Sequence, residues 1–401
     1  MPATASSQVR PLLALSVLAR LPLAMLSIGW LVHVEHLTGS YALAGLVAGT
    51  LAIAQGVGGP LLGRIADRRG QTAVLVASAA VSGTAMVAGG LLPADTPAPV
   101  LLGVAAVIGC SIPPVGACVR TLLPGMVADA DRLRRLYTVD ATAVELTWAS
   151  GPPLVLVAGA LLSTGVALAA AGAVLGLATL AFAAAPVSRA WRPDAEVVRP
   201  AGGALRAPGI RTLVIVLVAV GALFGAFEVA TTAAADALDS TAAAGPLLGL
   251  WGLGSLLGGI AASRAGGSAQ TGAGLVLLLA GLAAGHLLLA VAAGSLVALA
   301  ATTVIAGVFI APTLASPLAM VDAVAPAGTQ TEAFAWLATA TAIGASLGAA
   351  GAGVVAEAGS PAATYALAGG AAAAAAAIAL ARVRTLPAAE APVPTPAPAA
   401  A

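Results

Sequence analysis

The sequence predicts an all-α integral membrane protein of twelve transmembrane helices, arranged as two pseudo-symmetric six-helix bundles. Three observations carry this. Hydrophobic residues fill 60% of the 401 positions and charged residues 8%, with a mean hydropathy of +1.03, whereas a soluble domain carries about 25% charged residues. Apolar runs recur at the ~20-residue length that spans a bilayer. All 17 positive charges are arginine, and all but Arg20 and Arg120 fall at alternate ends of those runs.

Turn signals and charges divide the chain into spans at 11–35, 40–63, 72–92, 98–120, 136–161 and 165–186, then 210–234, 243–263, 271–293, 295–318, 329–356 and 360–382. Outer connections such as Ser163-Thr164-Gly165 and Ala293-Gly294-Ser295 are short. The arginines cluster between the alternate ends: Arg10; Arg64, Arg68 and Arg69; Arg132, Arg134 and Arg135; Arg189, Arg192, Arg199, Arg206 and Arg211; Arg264; Arg382 and Arg384. Cytoplasmic loops carry the Arg/Lys excess, so the expectation is an even number of crossings with both termini inside. The first apolar run has no convincing cleavage site and reads as a retained helix rather than a signal peptide.

The longest polar connection, 187–209, separates an N-terminal bundle (1–186) from a C-terminal bundle (210–386). Residues 387–401 are Pro/Ala-rich, offer no face to bury, and are expected to form a disordered cytoplasmic tail. The halves share a weak repeat: Gly63-Arg64-Ile65-Ala66-Asp67-Arg68-Arg69-Gly70 between spans two and three answers Gly259-Ile260-Ala261-Ala262-Ser263-Arg264-Ala265-Gly266 between spans eight and nine. Such repetition suits two six-helix bundles around a central site.

Several function classes drop out. The arginines form no continuous basic surface, so nucleic-acid binding is not expected. Cys110 and Cys118 are ~12 Å apart along one helix, too far for a disulfide. No metal-ligand spacing, nucleotide-binding loop or nucleophile elbow is present, so the chain reads as neither an enzyme nor an ATP-driven pump, with no cofactor and no metal.

The loop Gly63-x-x-x-Asp67-Arg68-x-Gly70, placed between spans two and three of twelve, resembles the signature of the major facilitator superfamily; Gln71 and Thr72 stand where that signature ends in a basic pair. Gly151-Pro152 in span five is similar to a motif of the family's drug/proton antiporters, and Thr331 to Trp336 with the glycines after it resembles span eleven of bacterial efflux permeases. The resemblance implies a rocker-switch secondary transporter in which Gly63, Asp67, Arg68 and Gly70 form a conformational latch, with Asp67 accepting hydrogen bonds at a neighbouring helix N-terminus. It also implies proton-coupled efflux of a small organic molecule, a drug or secondary metabolite. The alternatives are a sugar or metabolite permease of the same fold, and a transport-inactive membrane sensor or scaffold. The alanine-rich, lysine-free composition suggests a bacterial inner-membrane protein, expected to be a monomer.

Charges within a bilayer cost at least about 2.5–3.5 kcal/mol each on insertion scales, so their retention points to function or pairing. Arg20 and Glu145 lie at similar depth by residue count and are expected either to pair or to share the handling of substrate and proton; a static salt bridge is the alternative. Glu228 is the carboxylate expected to meet substrate in the C-terminal half. Asp140 and Glu332, near the starts of spans five and eleven, suit structural roles at a positive helix end. Arg120 is expected to snorkel to the headgroups or to form a gate pair with Asp67 or Asp129. Gln55, Trp148 and Trp251 are candidate cavity residues, Trp30 an interfacial anchor, His286 a packing residue and His33 a surface one.

Overall fold

In the computed structural model the described residues are 8–388, apart from 95, 128, 195, 198–199 and 358–359. Among them, twelve helical spans are long and apolar enough to cross a membrane. In chain order the helices are α1 (Val9–Thr38), α2 (Tyr41–Arg69), α3 (Gln71–Gly90), α4 (Ala98–Ser111), α5 (Val115–Met126), α6 (Ala130–Leu161) and α7 (Thr164–Ala184). After the short α8 (Pro186–Ala190) come α9 (Pro208–Ala237), α10 (Ala244–Arg264), α11 (Gly272–Ala292), α12 (Leu296–Gly307), α13 (Ile310–Val324), α14 (Gln330–Glu357) and α15 (Pro361–Ala381). Residues 387 and 388 close the described chain, and the expected tail beyond them lies outside the described residues.

The helix starts carry ordinary signals. Ser40, Asp129, Ser163, Thr271, Ser295 and Ser360 each cap a helix by accepting a backbone N–H two or three residues on, satisfying a donor that the first turn leaves free.

Two spans differ from the continuous helices expected at 98–120 and 295–318. The fourth breaks at Ile112, Pro113 and Pro114 and then runs on to Met126. Two adjacent prolines supply no N–H, and Ile112 before them is extended (φ −56°, ψ 122°), as a residue preceding proline tends to be. The tenth is interrupted at Val308 and Phe309. Pro312 explains this, because its ring excludes a hydrogen bond to the Val308 carbonyl and crowds it.

Helices α1–α7 pack chiefly on one another (α3 on α7, α2 on α4, α1 on α6 and α7), as do α9–α15 (α9 on α14 and α15, α11 on α15, α10 on α12). A buried cluster around Leu26, Trp30, Leu101, Ile108 and Leu168 belongs wholly to the first group. Between the groups, α2 and α5 meet α14, and α6 meets α10 and α13. Gly221 and Gly344 let α9 and α14 touch backbone to backbone, the close approach small residues permit where packing, not hydrophobic exclusion, holds helices together.

Candidate substrate pathway and latch

At the arginine-rich face the two groups of helices are tied together. Both oxygens of Asp67 accept backbone N–H groups from the first turn of α14: Thr331 N–H at 3.0 Å and Glu332 N–H at 2.8 Å. These N–H groups have no intrahelical partner, and the positive end of the helix dipole favours an anion there. Arg64 grips Glu332 with two parallel bonds, Nε to Oε2 at 3.1 Å and Nη2 to Oε1 at 2.7 Å, the planar bidentate geometry that makes such pairs strong.

The glycines of the loop have separate reasons. A Cβ at Gly63 would lie 2.9 Å from the Thr331 carbonyl oxygen and 3.0 Å from Glu332 Cα, so its absence lets α2 reach α14. Gly70 ends α2 with φ +94°, a conformation costly for any residue with a Cβ. Arg68 is exposed. Gln71 and Thr72 both bond Ser188 in α8, through Gln71 Nε2 to Ser188 Oγ at 3.0 Å and Thr72 Oγ1 to the Ser188 carbonyl at 3.2 Å.

Further bonds cross at the same face. Thr121 and Thr331 hydroxyls are 3.1 Å apart, Tyr137 donates to Asp322 at 3.2 Å, and Thr138 meets the Ser268 hydroxyl at 3.0 Å and accepts its N–H at 3.1 Å. Among the described residues, every side-chain hydrogen bond between 8–186 and 208–388 lies at this end.

Arg20 does not pair with Glu145. Its partner is Asp140: Arg20 Nη2 bonds one Asp140 oxygen, while Arg20 Nε donates to the Ser16 carbonyl at 3.1 Å. Arg120 Nε donates to the other Asp140 oxygen at 2.7 Å. Asp140 is 1% exposed, Arg20 9% and Arg120 8%. Arg120 therefore neither snorkels nor reaches Asp67 or Asp129 as a gate pair; one carboxylate, buried between two guanidinium groups, holds it. Asp140 is no first-turn anion either, since α6 begins at Ala130, ten residues earlier.

Glu145 and Glu228 are a second arrangement, one from each half. Glu145 on α6 is half-buried and Glu228 on α9 is exposed, and they lie within Coulombic reach of one another. Among the described residues neither forms an ion pair. Close to Glu228 in sequence, Phe227 stacks on Trp251 with ring centres 4.4 Å apart, and Phe224 meets the same indole edge-on at 5.2 Å. Trp251 N–H donates to His286 Nε2 at 3.1 Å, and His286 Nδ1 donates to the Leu282 carbonyl at 2.8 Å, which fixes the neutral tautomer.

The other candidates are distributed more widely. Gln55 is half-buried on α2, and Trp148 is 52% exposed on α6. Gly151 packs on α1, where a Cβ would lie 2.7 Å from Ala24 Cβ, and Pro152 follows it inside α6. Trp30 is fully buried rather than an interfacial anchor. His33 is likewise 3% exposed rather than a surface residue, tied to Thr164 Oγ1 at 3.0 Å and the Gly89 carbonyl at 3.1 Å. Their one-turn spacing with Gly29 on a buried face of α1 was the available signal.

No family model matches the chain, and no curated protein matches it. Solved structures do. A bacterial homologue of the iron transporter ferroportin, in an outward-facing state, superposes with a TM-score of 0.73 at 14% identity, covering 94% of this chain and 99% of that one. The proton:xylose symporter XylE of the major facilitator superfamily gives 0.70 at 14%, covering 93% and 95%. The chain has the major facilitator fold. The human organic anion transporter MFSD10 shares it, with a TM-score of 0.69 at 17% identity over 94% of this chain and 100% of that one. At these identities the likeness establishes the major facilitator architecture of twelve helices and leaves the cargo open.

Proposed function

We propose that the protein is a secondary active transporter that exports a small organic molecule in exchange for protons, by rocking residues 1–186 against 210–386. The observation that carries this reading is the one-sided closure: among the described residues, the side-chain hydrogen bonds between the two helical groups lie at the arginine-rich face, where backbone caps on Asp67 and the bidentate Arg64–Glu332 pair form a latch. An interface closed at one end by a few polar contacts is suited to alternating access. With the arginine-rich face cytoplasmic, this state opens outward in a bacterial inner membrane. The similar folds of an iron-transporter homologue, an organic anion transporter and a proton:xylose symporter support transport and span unlike cargoes.

In this reading the pathway is lined by Gln55, Trp148, Glu145, Glu228 and Trp251, with Arg20 and Arg120 below. Asp140 is unsuited to carrying a proton, because each of its oxygens is already engaged by an arginine. Glu145 and Glu228 have no cation partner among the described residues, and like charges within reach of one another are held apart less tightly once one binds a proton. They are therefore the proton carriers. Reconstituted protein given a compound panel, with and without an imposed pH gradient, tests this: gradient-driven flux is expected, and Glu145→Gln is expected to keep downhill exchange while losing the gradient effect. Undiminished gradient-driven flux in Glu145→Gln removes Glu145 as carrier.

A further inference from the structure

The Arg20–Asp140–Arg120 cluster has more positive charge than its partners answer. Asp140 gives one oxygen to each arginine, so two cations share one anion inside a span. Arg20 is nine-tenths buried, yet its Nη1 has no hydrogen-bond partner. A buried charged group left partly unsatisfied is expensive, and the geometry shows where a partner would sit.

The Nη1 atoms of both arginines converge over Gly116. A Cβ on that residue would lie 3.3 Å from Arg20 Cδ, 3.6 Å from Arg20 Nη1 and 3.9 Å from Arg120 Nη1. Gly116 is the second residue of α5, the half-helix that starts after the Pro113-Pro114 break. The first turn of a helix has N–H groups without intrahelical acceptors and the positive end of its dipole, and half-helix N-termini in broken spans are the places where transporters of known mechanism meet anionic groups. The proline break thus sets a helix start inside the span, beside an arginine nitrogen that lacks an acceptor.

We propose that Arg20, Arg120 and the start of α5 at Gly116 form a binding site for a single negative charge, such as the carboxylate of a transported acid or a small inorganic anion. Asp140 acts there as a positioning residue: it aims both guanidinium groups and leaves one positive charge for the ligand. The proposal rests on reading this cluster as part of the substrate pathway, but its test needs no transport.

Purified full-length protein in lipid nanodiscs is titrated with sodium chloride, sodium nitrate or sodium benzoate, with sodium sulfate holding ionic strength constant. Melting temperature and calorimetric binding are read. A saturable rise in melting temperature with at least one monoanion is expected. Arg20→Gln and Gly116→Ala, the latter putting a methyl group where the two Nη1 atoms converge, are each expected to weaken it at least tenfold. Gly49→Ala, at a position with open space around it, leaves it unchanged. Binding of benzoate alone assigns the site to an organic acid; equal binding of chloride and nitrate assigns it to an inorganic anion. If Arg20→Gln does not fold, Gly116→Ala decides. No saturable effect of any monoanion, or full binding in Gly116→Ala, overturns the site. Gradient-driven flux of an uncharged compound alongside such a null result overturns the site alone and leaves transport standing.

Discussion

At the scale of single residues, charge burial dictates what can be removed. Asp140 sits between Arg20 and Arg120 with almost no exposure. Deleting one member of a buried ionic network costs about 3–5 kcal/mol, because the charges left behind have no water to replace the lost partner. Asp140→Ala is expected to lower the melting temperature of the detergent-solubilised protein sharply, and the triple change to neutral residues of similar volume to restore most of it. A wild-type melt for Asp140→Ala contradicts the burial. Asp67 differs, since in the proposed transport cycle it stabilises one conformation rather than the fold. Losing an N-terminal cap costs about 1 kcal/mol, roughly a fivefold shift in an equilibrium. Asp67→Ala is therefore expected to keep the melting temperature and to raise the labelling rate of a cysteine placed at Thr331 several-fold. Unchanged labelling contradicts the latch role.

The reading of Arg20 shows how much of this scale the sequence holds. Depth does match partners: Arg20 is eleven residues after the start of α1 at Val9, and Asp140 ten after the start of α6 at Ala130. What differs from the expectation is the start of the helix. Arg132, Arg134 and Arg135 look like a loop but form the first turns of α6, so counting from 136 moves the matching carboxylate from Asp140 to Glu145. Asp129, which caps α6 by accepting the Asp131 N–H at 3.0 Å, was the signal for the earlier start.

At the scale of elements, the twelve spans are legible because a bilayer imposes a fixed length on every apolar run. The breaks in the fourth and tenth spans are less so. Ile112-Pro113-Pro114 and Val308-Phe309 are apolar, so hydropathy passes over them, and only proline's missing donor records the interruption. Latch contacts across 264 residues, such as Asp67 to Thr331, have no local signal beyond the resemblance of one loop. The approach of α2 to α14 can be tested at this scale. Gly63→Ala places a methyl 2.9 Å from the Thr331 carbonyl oxygen, too close to fit unless the helix ends move apart. It is expected to weaken the closed arrangement as Asp67→Ala does, while Gly49→Ala, farther along α2 in open space, is neutral in the same cysteine-labelling assay. Equal labelling in the two glycine variants contradicts the close approach.

At the scale of the whole molecule, the two groups of helices are joined by polar contacts at the arginine-rich face, while Glu145 and Glu228, one from each group, form no ion pair among the described residues. In the proposed cycle this arrangement is one end of a reciprocal motion. Double electron–electron resonance in nanodiscs measures it directly, with one spin-label pair at the arginine-rich ends (Arg69→Cys and Arg264→Cys) and a second at the opposite ends (His36→Cys and Asp239→Cys), in a background where Cys110 and Cys118 are alanine. Lowering pH or adding Asp67→Ala is expected to lengthen the first distance and shorten the second in the same sample. Two distances that move together, or neither moving while substrate flux proceeds, contradict it.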